Sequence, residues 1–503
     1  MLRPVERICP LSHKQSEWRG AYTRKVNTEP DIRVKPGSKE LPGPPFLPRL
    51  LSGKMFRQST VDFLTNNRRQ YGDLVHYGGF NRKIFQFNHP ELIQELLVND
   101  EPRNRRGIVM QRSRFILGDG LLTSEEPLHM RQRRMAAPAF HRARIAAYGD
   151  VISRYAGEMA ERWEPGPLDI HPEMLLLALR IVGKCLFDTD AQADVKKIAA
   201  AVDAFMGFLP LVFLPFSRTI EKLPFGPMKK IRRGGVDLDA IIYGMIAERR
   251  KSPGDRGDLL SMLLEATDTA DNSEGVTHGQ MAGTSNGSGS RMSDKQVRDE
   301  CLTVMLAGHE TTANGLSFAL WMLANYPQAQ EQVHEEAVRV LDNRPPTAAD
   351  YPSLKYAYMA FAETMRLYPP VWVIGRSAGP EPYAFRGFEI PAGAILIAPQ
   401  IVVQRYARFW PDPEKFDPLR FASEEKQADG KPARPKFAYY PFGAGSRQCI
   451  GEGLAWMEGV FVLATICRNW RLRPAPDAPK ELPMSPLISL RPKQGVPLVI
   501  ERR

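Results

Sequence analysis

The stretch Phe442-Gly443-Ala444-Gly445-Ser446-Arg447-Gln448-Cys449-Ile450-Gly451 constrains this chain more than any other feature, because three glycines and an arginine surround one cysteine. Glycine lets the backbone turn tightly and approach a flat group closely, and amide hydrogens bared in such a turn point at the sulfur and steady a thiolate. Cys449 is therefore a candidate metal ligand, with soft iron as its natural partner. A thiolate that donates electron density to haem iron favours cleavage of the dioxygen bond, so the loop points to oxygen activation rather than oxygen transport. A lone cysteine in a glycine-rich turn is more often a buried, inert thiol. The spacing of the flanking residues makes the difference here.

The rest of the chain supplies few competing readings. Five cysteines, Cys9, Cys185, Cys301, Cys449 and Cys467, lie far apart with no Cys-x-x-Cys pair, which argues against a disulfide framework or a zinc site and suits a reducing compartment. The 503 residues carry a net charge of +11, which favours an anionic surface or an acidic protein partner. No nucleic-acid motif accompanies that charge. The longest apolar stretch, Phe205 to Phe216, is too short to span a bilayer and contains Pro210 and Pro215, so no transmembrane segment is expected. The N-terminus lacks an apolar signal core, and a cytoplasmic protein with room for peripheral membrane contact is the expectation.

Composition and periodicity divide the chain into a basic, proline-rich lead-in over residues 1–40, extending irregularly to about residue 50, and one large domain over 41–503. Leu74 to Phe87 reads as a hairpin, and Tyr383 to Val403 as a strand-rich patch. Most segments from Pro90 to Ile401 read as helices. Asp268 to Ser293 is a low-complexity loop, after which Ser293-Asp294 cap a helix that runs to Asn325, where Pro327 stops it. A helix of that length needs burial.

Inside it lies Ala307-Gly308-His309-Glu310-Thr311-Thr312. A mid-helix glycine costs about 1 kcal/mol relative to alanine, and paired threonines add β-branched strain, so local propensity is violated where the helix should be strongest. Such violations mark functional sites. Ala307 and Gly308 let a flat cofactor and a diatomic ligand approach the backbone, while a threonine hydroxyl and a carboxylate relay protons. Glu363 and Arg366 sit three residues apart on one helical face, followed by Leu367-Tyr368-Pro369-Pro370 and later by Asp417-Pro418-Leu419-Arg420-Phe421. His129 and Arg133 stand at i, i+4 spacing, and Arg376 follows Val371-Trp372-Val373-Ile374-Gly375.

Together these motifs resemble, in order, those of the cytochrome P450 family, from about Leu41 to the C-terminus. The resemblance implies a mainly α fold, a helical prism with a small β-rich region and haem b (iron protoporphyrin IX) between the long central helix and the cysteine loop. It implies Cys449 as axial ligand, with Phe442, Gly443, Arg447 and Gly451 completing its loop. Ala307 and Gly308 then form the oxygen groove, and Thr311 with Glu310 the proton-delivering pair. His129, Arg133, Arg376 and Arg447 match partners of the haem propionates, and Glu363, Arg366 and Arg420 a buried structural triad. Leu419 replaces the glutamate usual in that segment.

The implied activity is insertion of one oxygen atom from O2 into a hydrophobic organic substrate of terpenoid, fatty-acid or polycyclic type. Only about 50 residues follow Cys449, so electrons are expected from a separate acidic ferredoxin or flavodoxin-type donor with its reductase. Arg131, Arg134, Lys431, Arg434 and Lys436 form the expected docking face. Peroxygenase members of the family generally lack the acid and threonine pair, which argues against that alternative. Oxidative coupling or rearrangement stays open, and a haem sensor without turnover is disfavoured by retention of the whole relay motif. Phe205, Phe208, Leu306, Ala307, Val371 to Ile374 and Leu487-Ile488 are the expected pocket lining, nearly all apolar.

Overall fold

The computed structural model describes residues 30–33, 41–45, 59–79, 82–189, 195–206, 212, 219, 226–266, 291–422 and 434–503. Its axis is the helix Asp294–Asn325, started by Ser293, whose side chain accepts from the Gln296 amide while Gln296 Oε1 accepts from the Ser293 amide at 2.8 Å. This reciprocal pair satisfies two otherwise orphaned donors. The helix ends at Asn325, as expected from the sequence, and Pro327 opens the next one, Pro327–Leu341. With 32 residues the central helix is about 48 Å long. It is buried on nearly every side rather than amphipathic because the helices Ile170–Phe187, Lys355–Leu367 and Glu452–Asn469 pack around it.

Beside this helical body stands a sheet of five strands: β1 (Leu74–Gly79), β2 (Arg82–Phe87), β3 (Asn104–Arg106), β4 (Ile374–Ala378) and β5 (Ile395–Ala398), in the order β1-β2-β5-β4-β3. The expected hairpin is present, with Leu74 opposite Phe87 and Gly79 opposite Arg82. β2 and β5 pair in parallel, and the remaining neighbours are antiparallel. The β3–β4 register sets Arg106 directly opposite Arg376. Leu74, Phe85, Phe87 and Leu396 join Leu92, Leu96 and Phe385 in a second apolar cluster, separate from the helical core.

The strand-rich patch ends earlier than its β-branched sequence suggests. Gln400–Val403 is a helical turn in which the Val402 and Val403 amides both reach Pro399 O at 3.1 Å. Tertiary contacts override propensity: Gln400 Nε2 donates to Tyr440 O at 2.8 Å, while Gln404 donates to Met365 O at 3.0 Å and accepts from the Tyr440 amide at 3.1 Å. These glutamines tie the approach to the cysteine loop to the helix Lys355–Leu367. The lead-in is also more ordered in part than its composition suggests, since Ile32 bridges Gly72 and Leu41 is buried in the second cluster. Phe208, Lys431 and most of the Asp268 to Ser293 segment lie outside the described residues.

Glu363 and Arg366 are fully buried and joined by two bonds of 2.7 Å, Nε to Oε2 and Nη2 to Oε1. Arg420 Nε approaches Glu363 Oε1 at 3.3 Å. Arg366 further donates to the carbonyls of Gln404, Pro413 and Lys415 and lies over the Trp410 ring. The anticipated triad is thus assembled and saturated with acceptors.

Candidate active site

From Val297 to Ala324 the central helix is buried at every residue but three: Ala307 is exposed, and Gly308 and Thr311 are half-buried. Spacings of one and four residues put all three on one face. An accessible patch in the middle of a buried helix means that this face borders a cleft. Thr311 Oγ1 donates to Ala307 O at 2.6 Å, so its hydroxyl is held at that face.

Cys449, in a partly exposed loop, is accessible as well. Burial pushes its thiol up to about 11, yet the residue is accessible, as expected of a side chain deep in the protein that opens onto a cleft. The amide of Gly451 points at the sulfur and works in the opposite direction, favouring thiolate. Gly443 and Gly445 adopt φ of 75° and 73°, a left-handed conformation that side chains resist. At Gly445 a Cβ would stand 2.3 Å from Leu97 O, so any other residue there would displace the loop. Cys449 N donates to Phe442 O at 2.9 Å, closing the turn, and Phe442 packs against Trp456. Ser446 anchors it through Glu101, with Oγ to Oε1 at 2.6 Å.

Four cationic or basic side chains gather near the loop. Arg447 donates to Ser124 O at 2.9 Å and pairs with Glu125 at 3.1 Å. Arg376 and Arg106 are buried and face each other across β3–β4, and among the described residues neither has a carboxylate within ion-pair distance. Burial, reinforced by the neighbouring Arg447 charge, lowers Arg376 to about 10 and Arg106 well below its usual value. His129 Nδ1 bonds Glu126 at 2.8 Å, and burial followed by the Arg447 charge brings its pKa down to about 4. Arg106 Nε, Arg376 Nε and His129 Nε2 are buried without hydrogen-bond partners. An incoming pair of carboxylates would satisfy these atoms and offset the repulsion, which is what a group carrying two propionates offers. The residues fit haem.

Arg106 escaped the sequence reading. Its only signal there is the run Arg103-Asn104-Arg105-Arg106, which looks like any solvated basic stretch. Arg133 stands apart from the buried cations: its Nη1 donates to Gln448 O at 2.7 Å, beside the sulfur. Glu310 is buried on a different face of the helix from Thr311. Its Oε1 accepts from Ser489 Oγ at 3.0 Å and Asn314 Nδ2 at 3.2 Å and lies 3.4 Å from Arg491 Nε, while Oε2 has no partner. Arg491 continues to Asp203, which is exposed, at 3.1 Å. His309 is buried and its pKa lowered, chiefly by burial.

Comparison with known proteins agrees with this geometry. The family model described as Cytochrome P450 matches residues 41–499. Cyclooctatin synthase of Streptomyces melanosporofaciens is 35% identical over 81% of this chain and 84% of its own length. From the same organism, cyclooctat-9-en-7-ol 5-monooxygenase is 34% identical with the same coverage. Pentalenene oxygenase of Streptomyces avermitilis is 31% identical over 81% of this chain and 86% of its own length.

Proposed function

The chain belongs to the cytochrome P450 family, and from that premise we propose that it oxygenates a cyclic terpenoid at the cleft between Cys449 and the Ala307–Thr311 face. It is a haem-dependent monooxygenase, acting on an organic substrate and O2 with electrons from a redox partner. The observations that carry the site reading are the accessible Ala307–Thr311 face within an otherwise buried helix, the accessible Cys449, and the buried Arg106 Nε, Arg376 Nε and His129 Nε2 atoms without hydrogen-bond partners.

Haem held by a thiolate supplies activation of dioxygen, one oxygen atom entering the substrate and the other leaving as water. In our reading the group is haem b, Cys449 Sγ would bind its iron, and the Gly451 amide would moderate the sulfur's charge. Arg106, Arg376, Arg447 and His129 would hold the propionates. Thr311 Oγ1, which donates to Ala307 O, would hold a proton at the face of the helix that borders the cleft, and Glu310 would replenish it. Glu310 takes part by reorienting, because Ser489, Asn314 and Arg491 now hold its carboxyl.

Terpenoid substrates are favoured by the names of the relatives and by the apolar lining. Trp372 Nε1 donates to Leu487 O at 2.9 Å, which joins two of the expected lining segments. No described helix is long and apolar enough to cross a membrane, and we assign the protein to the cytoplasm. The electron donor is an acidic ferredoxin or flavodoxin-type protein. Its docking face needs one correction: Arg434 lies 4.2 Å over the Trp410 ring and donates to Arg420 O, so it is part of the body. Arg131, Arg134 and Lys436 remain for that face, and electron transfer should slow as added salt screens it; an insensitive rate removes the assignment.

The deciding experiment combines spectra with turnover. The reduced protein with carbon monoxide should give the red-shifted band of thiolate-ligated haem, and Cys449→Ala should abolish it. Thr311→Ala should keep that band and the substrate-induced spin shift while diverting reducing equivalents to peroxide. A Cys449→Ala protein that retains the thiolate spectrum, or a Thr311→Ala protein with unchanged coupling to product, overturns the corresponding role.

A further inference from the structure

The helix Arg142–Arg162 carries a glycine in its interior, Gly157, where a Cβ would meet nothing within 4 Å. A mid-helix glycine costs about 1 kcal/mol relative to alanine, and no close approach of a neighbour requires this one. Beyond it lies a crevice of about 190 Å³. Ser153, Gly157 and Ala160 on that helix form one side, and Thr465 and Arg468 on helix Glu452–Asn469, with Arg502 on the strand Pro497–Arg502, form the other. Thr465 lies about 20 Å along its helix from the end next to Cys449, so the crevice is separate from the haem site.

Its walls hold positive charge and a donor with nothing to answer them. Arg468 is half-buried, and its Nη1 donates to Arg344 O at 2.5 Å and Asp342 O at 3.5 Å, which fixes the guanidinium. Among the described residues its Nε and Nη2 have no acceptor, no carboxylate lies within ion-pair distance, and burial lowers its pKa. Arg502 lies 5.0 Å over the Trp470 ring and has no carboxylate partner among the described residues either. Thr465 is buried, and its Oγ1 has no hydrogen-bond partner. Glu161 at the rim is exposed and pairs with neither arginine. A helix C-terminus with free carbonyls would favour a cation instead. Here those carbonyls are taken: Asn469 Nδ2 donates to Thr465 O at 2.8 Å, the Trp470 amide to Ile466 O, and the Arg503 amide to Asn469 O at 2.9 Å.

We propose that this crevice is an anion site that takes a phosphate group, free or carried on an ester, through Arg468, Arg502 and the Thr465 hydroxyl. Two guanidinium groups and a hydroxyl suit a tetrahedral group with several acceptor oxygens, whereas one guanidinium fork already satisfies a planar carboxylate. Gly157 then has a reason to be glycine, because a side chain there would take the anion's place. The site does not depend on the haem reading.

The test titrates the haem-loaded protein with inorganic phosphate by calorimetry at low, constant ionic strength. One saturable site with Kd of about 1 mM or tighter is expected, and acetate should bind at least about tenfold more weakly. Arg468→Gln should weaken phosphate by about tenfold or more, as for one lost charged hydrogen bond, and Thr465→Val by about threefold, as for a neutral one. Because Arg468→Gln also frees the loop at Arg344, the deciding variant is Gly157→Leu, which keeps both arginines, favours the helix and should abolish binding. Unchanged phosphate binding in Gly157→Leu overturns the site, as does a parent protein without saturable binding. Acetate that binds as tightly as phosphate overturns the phosphate assignment. Phenyl phosphate separates the two sources: binding tighter than that of inorganic phosphate assigns the site to an ester, and weaker binding assigns it to the free ion.

Discussion

Two buried arginine clusters in this molecule differ in what they lack. Around Glu363, the guanidinium of Arg366 meets a carboxylate at two points, three carbonyls and a ring face, and Arg420 completes the set. Around Arg376, by contrast, Arg106 and Arg376 confront each other and Arg447 with lowered pKa values and Nε atoms that bond nothing. Burying an unpaired cation costs several kcal/mol, so a fold keeps such a cluster only where something else completes it. The first cluster is finished by the chain, and the second, in our proposal, by the haem propionates.

The largest effect that could break this contrast is at the first cluster. Arg366→Leu leaves Glu363 buried without its main partner and should cost about 3–5 kcal/mol, enough to lose most of the folded protein. Denaturant unfolding of the purified variant measures it; a loss below 1 kcal/mol would mean that the triad is not what holds this region. Arg376→Leu should behave in the opposite sense. Removing an uncompensated cation should leave the unfolding free energy of haem-free protein unchanged or raised, while transfer of haem to an excess of a haem acceptor should quicken by about tenfold, as for one lost charged hydrogen bond. If haem retention is unaffected and stability falls, Arg376 belongs with Arg366 as a structural residue.

The smallest effect concerns His129. Its folded pKa near 4 lies below the ordinary 6.5, so between these values the unfolded chain binds the extra proton. Stability is then full above pH 6.5 and falls as pH drops toward 4. His129→Gln should flatten part of that slope in haem-free protein. Haem should shrink the difference, because a propionate beside the imidazole favours its charged form. An equal slope with and without haem would place no carboxylate there.

Much of this was legible beforehand because the relevant motifs are local. Ser293 and Pro327 bound the central helix by capping and by ring geometry, Glu363 and Arg366 meet across one turn, and the cysteine loop carries its own glycines. Arg106 was not legible, since only the β3–β4 register brings it opposite Arg376, 270 positions later in the chain. The helical turn Gln400–Val403 was hidden for the same reason: its β-branched residues favour a strand, and distant carbonyls at Met365 and Tyr440 decide otherwise.

By itself the sequence determined the family, the turns of the cysteine loop and the two ends of the long helix, because each depends on motifs and backbone conformation within a few residues. The partners of Glu310, the cation pair and the crevice beside Arg468 were decided only by the tertiary structure. Each joins groups from separate parts of the chain, Glu310 with Ser489 and Arg491, Gly157 with Thr465 and Arg502, Arg106 with Arg376. Whether such charges are paired or stranded is fixed by packing at atomic distance, which no local spacing encodes.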